Sequence, residues 1–291
     1  MKAAPFDYVR VSSLDELGEL AAAYGDDAQV IAGGQSLVPA MAMRMARPKL
    51  LLDLCDLPGL ADIRLTPEGL EIGAMVRYFE LAASPLVAAH APLVSAAVPL
   101  IAHEAIRSRG TLGGNLAHAD PASEMPAVML ALGAVITIAG SNGARRIPAA
   151  EFFIGTYETA LRPGEIITAI TLPAAPVGRR GAIDEVVRRS GDYAAVGAAF
   201  AIDLEGETVA GARLAFFAVC ERAVLAEKAA AALCGQRLGH VDPAPVLDAL
   251  AEEITPVADL HNRAETKRHL MKVLAGRLLQ RLLSGEKSTH G

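Results

Sequence analysis

Tryptophan is absent from this 291-residue chain, and aromatic residues make up only 4% of it. Stacking platforms for bases or sugars are therefore scarce. Cysteine is nearly as rare: Cys55, Cys220 and Cys234 lie far apart, with no C-x-x-C spacing. Iron–sulfur clusters and structural zinc need closely spaced thiolates, so the chain is expected to hold no metal. The three thiols read as small apolar packing groups in a reducing compartment. Long hydrophobic runs are missing too. Gly, Pro, His or charge interrupts every apolar stretch well short of ~18 residues, so no membrane span is expected. Met1 to Arg10 carries Asp7 and lacks the apolar core of a secretory signal. The expected location is cytoplasmic. A basic excess is also lacking: the net charge is −6, which disfavours a nucleic-acid partner. Neither G-x-G-x-x-G after a strand nor G-x-x-x-x-G-K-[ST] occurs, which argues against an ordinary Rossmann domain or P-loop.

Two glycine stretches stand out against these absences. In the first, an apolar run ending Val30-Ile31-Ala32 meets Gly33-Gly34-Gln35-Ser36, and a Met-rich apolar segment follows from Leu37 to Met45. That is strand, tight turn, helix. Glycine lets consecutive N–H groups point one way, and a helix start adds unpaired donors. Ser36 has the residue type to cap the helix or to meet a phosphate. An anion, above all a pyrophosphate, suits such a turn, although Gly-Gly between strand and helix is most often only a turn. The second stretch, Arg109-Gly110-Thr111-Leu112-Gly113-Gly114-Asn115, again has Gly-Gly before an amide side chain and an apolar helix pattern downstream. Two separated stretches of this kind suit a ligand held at two places, such as a dinucleotide.

Hydrophobic residues make up 52% of the chain and charged residues 21%, as in an ordinary globular protein. The length suits about two or three domains. Residues 12–24 read as an amphipathic helix capped by Ser12 or Ser13. The strand before the first glycine stretch, the helix 37–45 and a strand 49–54 then make a β-α-β-type unit with parallel pairing. The methionines at 41, 43 and 45 read as core filler. Strands at 63–65 and 70–74, helices at 77–83 and 86–103, a hairpin over 134–147 turning at Asn142-Gly143, and a strand at 166–172 follow. Ala174 to Gly178 reads as a linker. Strands at 185–189, 194–204 and 209–219 form a three-stranded antiparallel sheet. Helices close the chain at 221–234, 243–253 and 263–283. The last has Leu270, Val273, Leu274 and Leu278 on one side and carries Arg263, Lys267, Arg268, Lys272, Arg277 and Arg281. This is a solvated basic face, or else a docking surface for an acidic partner.

The wording AGGQS at 32–36 and TLGGN at 111–115 resembles the two flavin-binding loops of the FAD-binding medium subunits of molybdenum hydroxylases, the xanthine dehydrogenase and carbon monoxide dehydrogenase group. The resemblance takes in Ile106 to Gly110, Ala117 to Glu124, Phe152 to Gly155, Arg188 to Tyr193 and the basic helix near Arg263. It departs at Gln35, where many members carry His, and at Glu124, where many carry Asp; both substitutes still form hydrogen bonds. The wording at 121–128 and Gln35 looks closest to members acting on aromatic N-heterocycles, such as alkaloid dehydrogenases.

The resemblance implies an α+β chain. A two-part FAD-binding domain of the vanillyl-alcohol oxidase (PCMH) type would occupy 1–56 and 57–176, and a C-terminal sheet with helices 177–291. It implies FAD held by Ile31, Ala32, Gly33, Gly34, Gln35 and Ser36 at the pyrophosphate, and by Thr111, Leu112, Gly113, Gly114 and Asn115 nearer the ribityl chain. Gly113 and Gly114 are expected to be glycine because the backbone must approach the ligand there. His118 and Glu124 are placed beside FAD, Leu161 near adenine, and Arg188 or Tyr193 near the isoalloxazine. Simpler readings stand beside these. His118 and His103 also read as loop histidines, Glu124 as a helix N-terminal charge, and Tyr193 as a sheet tyrosine. The implied role is electron transfer from a small [2Fe–2S] subunit to an external acceptor. Molybdopterin sits in a large subunit, and the assembly is a dimer of heterotrimers. A self-contained flavoenzyme and a non-catalytic subunit stapled by FAD are the alternatives.

Overall fold

The computed structural model describes residues 2–284. Its N-terminal part holds β1 (Asp7–Arg10), α1 (Leu14–Tyr24), β2 (Ala28–Ile31), α2 (Leu37–Ala42) and β3 (Leu50–Asp53). The three strands form a parallel sheet ordered β1-β3-β2, as expected for β2 and β3; β1 is an addition to the sequence reading. Ser13 caps α1 by accepting from the Glu16 N–H at 3.1 Å. The chain steps across the sheet from β1 to β2 and then back to β3. Right-handed crossovers place α1 and α2 on opposite faces in that case. This accounts for a β3 buried on both sides, with Leu50 and Leu52 in the α1 core and Leu51 also buried.

The middle part contains β4 (Ile63–Thr66), β5 (Gly69–Gly73), α3 (Tyr78–Ala83), α4 (Pro85–His90), α5 (Pro92–Ala97), α6 (Glu104–Arg107), α7 (Leu112–His118), α8 (Glu124–Leu132), β6 (Val135–Gly140), β7 (Gly143–Pro148), α9 (Ala149–Phe152), β8 (Phe153–Gly155), β9 (Glu158–Thr159) and β10 (Ile166–Pro173). The expected helix over 86–103 is broken into α4, α5 and a 3-10 turn, Val98–Leu100. Pro92 and Pro99 interrupt it, because neither has an N–H to continue the ladder. Five strands pair antiparallel in the order β4-β5-β10-β6-β7. The β6–β7 turn centres on Ser141 and Asn142, one residue earlier than expected.

The last part holds β11 (Arg180–Val186), β12 (Val196–Glu205), β13 (Thr208–Phe217), β14 (Val224–Leu225), α10 (Glu227–Leu233), α11 (Ala244–Glu253) and α12 (Ala264–Ser284). The first strand lies earlier than expected, and Val187 to Arg189 fall in a loop instead. The three foreseen strands pair antiparallel, and the two-residue β14 adds a fourth at the edge. One face of this sheet packs on α10, α11 and α12. Ile183, Ala199, Ala215 and Phe217 on the other face join the middle core. Between the two sheets lies α8, with all nine residues buried; a helix apolar on all sides has no other stable place.

Several residues differ from their sequence reading. Met41 is buried, but Met43 and Met45 are exposed, since α2 ends before them. Cys55 and Cys234 are exposed rather than packed. On α12, Val273 faces outwards, and Lys267 is buried with its ammonium 2.7 Å from Asp259 and donating to Ala218 O. Lys267 therefore belongs to neither a solvated face nor a docking surface, and Arg281 is engaged with Asp184.

Candidate functional site

The first glycine stretch leaves the carboxyl end of β2, the end at which ligands of open α/β sheets bind. Gly34 has φ +72°, a conformation that glycine adopts without strain. The Gly34 and Ser36 carbonyls accept from Val38 and Ala40, and Gln35 Nε2 folds back onto Gly33 O at 3.0 Å. The N–H groups of Gly33, Gly34, Gln35 and Ser36 donate to nothing among the described residues. Ser36 does not cap α2: it has helical φ and ψ and makes no side-chain cap bond, so its hydroxyl stays free.

The second stretch is the cap and first turn of α7 rather than an open loop. Thr111 Oγ1 accepts from the Gly114 N–H at 3.2 Å. The N–H groups of Leu112, Gly113 and Asn115 go to Val76 O, Ala74 O and Thr111 O. All four donors are thus used within the protein, which corrects the reason expected for its glycines. A Cβ on Gly113 would stand 2.7 Å from Ala74 O, and one on Gly114 would stand 2.7 Å from Thr111 Oγ1 and 3.3 Å from the Ala32 Cβ. Gly33 meets the same segment from the other side: a Cβ there would overlap Arg109 O and stand 2.9 Å from Gly110 Cα. These glycines close the two stretches against each other. One stretch supplies free donors, and the other supplies a satisfied wall behind them.

The chain after α7 completes the site. Asn115 and Ser123 exchange hydrogen bonds at 2.7 and 3.0 Å, which fixes the loop 119–123 onto α7. Ala119 and Tyr157 both have positive φ, 49° and 57°, and the Tyr157 N–H donates to Ala119 O. Such strained non-glycine residues tend to gather at functional sites. The Tyr157 ring lies 4.8 Å from that of His118, and its hydroxyl donates to Asp120 Oδ2 at 3.4 Å. Asp120 Oδ1 accepts from the Ala122 N–H at 2.9 Å. Tyr193, an exposed residue of the β11–β12 loop, is turned toward the same region, and partial loss of solvent followed by the Asp120 charge raises its hydroxyl above the ordinary value. Glu124, the first residue of α8, is 8% exposed, and burial raises its carboxyl to about 7.

The structure therefore brings 31–36, 111–115, His118, Glu124 and Tyr193 into one region. Leu161 is partly buried against the middle core, with its N–H on Thr159 Oγ1. Arg188 is exposed in the β11–β12 loop and takes part in no ion pair among the described residues. The sequence reading missed Asp120 and Tyr157 as site residues. Asp120 had a signal, an aspartate before proline at a turn. Tyr157 had none, because positive φ cannot be read from its side chain. A row of free donors backed by a closed wall fits the phosphates of an anionic dinucleotide.

That fold and that cradle define a two-part dinucleotide-binding protein. A family profile described as the FAD binding domain in molybdopterin dehydrogenase matches residues 4–175. One described as the CO dehydrogenase flavoprotein C-terminal domain matches 181–282. The chain is 38% identical over 290 residues to the 6-hydroxypseudooxynicotine dehydrogenase complex subunit alpha of Paenarthrobacter nicotinovorans, covering 99% of this chain and 98% of that one. It is 38% identical over 280 residues to the carbon monoxide dehydrogenase medium chain of Afipia carboxidovorans, covering 95% and 96%. Carbon monoxide dehydrogenase from Hydrogenophaga pseudoflava superposes with a TM-score of 0.93 at 36% identity, over 98% of this chain and 99% of that one. Quinoline 2-oxidoreductase from Pseudomonas putida 86 superposes at 0.91 and 37%, with the same coverage. The chain belongs to the FAD-binding medium subunits of the molybdenum hydroxylase family. It is an oxidoreductase subunit whose cofactor is FAD, and its relatives are subunits of multi-subunit complexes.

Proposed function

We propose that this chain relays electrons, taking them from the [2Fe–2S] clusters of a small partner subunit and passing them through FAD to an external acceptor. Molybdopterin and the hydroxylation step belong to a large partner subunit in this reading, and the assembly is a dimer of heterotrimers in the cytoplasm. Among the described residues no helix is long and apolar enough to cross a membrane. The observation that carries the FAD site is the row of unpaired N–H groups at 33–36, closed against 109–114. Those donors would hold the pyrophosphate, with the free Ser36 hydroxyl beside them. Thr111 to Asn115 would line the ligand by shape, while His118, Glu124, Leu161, Arg188 and Tyr193 would complete the site, with Asp120 and Tyr157 holding the Tyr193 side. Bound FAD supplies a two-electron carrier; the protein binds, orients and shields it. The reading divides the chain at 56 and 176, and the exposed stretch around Val177 supports the second of these boundaries.

The test is cofactor content. Purified chain should carry one FAD, all of it released into the supernatant by acid precipitation, and Gly34→Asp should purify with little. Flavin retained in the pellet would rule out a non-covalent site. Full occupancy in Gly34→Asp would remove the first stretch from it.

A further inference from the structure

Residues 218–222 connect β13 to β14, and they touch the middle part at three points. The Ala218 N–H donates to Pro121 O at 2.7 Å, within the loop 119–123. Arg222 Nη1 donates to Phe153 O at 2.7 Å, and Thr156 Oγ1 donates to Glu221 O at 3.1 Å. The link therefore grips both sides of the contact between Ala119 and Tyr157: the loop on one side, β8 and its turn on the other. Ala218 itself has φ +59°. Three of the five non-glycine residues with positive φ among the described residues, Ala119, Tyr157 and Ala218, thus belong to one hydrogen-bonded assembly.

A left-handed conformation is unfavourable for alanine, and it persists only where the surroundings fix it. The group that meets Ala218 from the other side is Lys267 of α12, a residue 5% exposed. Its Nζ donates to Ala218 O at 2.7 Å and lies 2.7 Å from Asp259 Oδ2. Asp259 is held in turn by the N–H groups of His261 and Asn262, each at 2.7 Å. The carboxylate makes the buried ammonium tolerable. The donor spent on the carbonyl is a separate, charge-assisted bond that the ion pair does not require. Ala218 thus has its carbonyl on α12 and its N–H on the loop beside the glycine stretches.

We propose that Lys267 is a positioning residue for the flavin site. It locks Ala218 in the left-handed conformation, and through the Ala218 N–H it holds the loop 119–123 in the place where Ser123 meets Asn115 of α7. The inference rests on the FAD reading and deepens it: the C-terminal part sets one wall of a cofactor held by the other two.

The experiment uses the full chain, titrated with FAD and followed by flavin fluorescence and by the visible circular dichroism of the bound flavin. Lys267→Met fills the buried slot with an unbranched chain that donates nothing. It should bind FAD about 10-fold more weakly, as part of a lost charge-assisted bond reaches the loop, and its dichroism at saturation should change. Asp259→Asn removes the ion pair but leaves Nζ on Ala218 O, so it should lose stability and keep both flavin readouts. Ala218→Gly supplies a residue that takes positive φ unaided. Adding Lys267→Met to it should therefore cost less than about threefold, a coupling that simple loss of packing would not give. This pair also carries the test if Lys267→Met alone does not fold. Wild-type affinity and dichroism in Lys267→Met, an equal loss in Asp259→Asn, or an undiminished loss on the Ala218→Gly background would overturn the lock. Hydrogen exchange in the FAD-free chain gives a readout without flavin. Relative to the rest of the chain, the Ala218 amide and the segment 118–123 should exchange faster in Lys267→Met than in wild type. Unchanged exchange there would overturn the lock. Faster exchange with no FAD bound by the wild type would overturn the flavin reading and leave the lock standing.

Discussion

Replacing Gly33 by alanine tests how the two glycine stretches are joined. The added Cβ would lie closer than 3.0 Å to Arg109 O and to Gly110 Cα, a separation that real Cβ atoms essentially never show. Both obstacles are backbone, so no side chain can swing aside. The stretches must part by about an ångström to restore ordinary contact, and overpacking of this kind costs about 1–3 kcal/mol. The free N–H groups at 33–36 move with the displaced loop. Losing one hydrogen bond to a charged group costs about 1.5–3 kcal/mol, or about 10- to 100-fold in affinity. Gly33→Ala should therefore unfold at lower denaturant and bind FAD about 10- to 100-fold more weakly, measured by titrating FAD-free protein and following flavin fluorescence. Wild-type affinity in a correctly folded Gly33→Ala would refute the idea that this contact shapes the binding site.

Two further outcomes follow from other parts of the chain. Gly276 lies within α12 with nothing near its absent Cβ, so Gly276→Ala should stabilise the protein by about 0.5–1 kcal/mol in chemical unfolding, with unchanged FAD content. Asp259 should make stability depend on acid. Burial would raise its carboxyl, but Lys267 and the N–H groups of His261 and Asn262 more than offset this and hold it well below the usual range. Because its folded value is depressed, the stabilisation is present above the unfolded carboxylate range near pH 4 and is lost as pH falls below it. Asp259→Asn should flatten that acid limb of the thermal unfolding curve. It should also cost about 3 kcal/mol at neutral pH by leaving the buried Lys267 unpaired.

Where one local signal decided the outcome, the sequence was a good guide. The run into Gly33-Gly34 and the apolar stretch after it placed β2, its turn and α2, and Ser13 marked the start of α1. Strand β1 was missed because its four residues show little hydrophobic alternation and three of them are exposed. Between 86 and 103 the apolar face was read without weighing Pro92 and Pro99. The role of the second glycine stretch was not legible at all. Its glycines face Ala74 and Ala32, and such distant partners leave no trace in a local pattern.

The electron-relay role is tested most directly by anaerobic mixing with a panel of N-heterocycles, aldehydes and carbon monoxide while the flavin absorbance is followed. Two [2Fe–2S] clusters need four ligands each, and the three scattered cysteines of this chain cannot supply them. The isolated chain should be yellow, bleach with dithionite and stay unbleached by every member of the panel. Adding the iron–sulfur and molybdenum subunits should restore substrate-dependent bleaching. Bleaching of the isolated chain by any of these substrates would contradict the relay and make the chain a flavoenzyme in its own right.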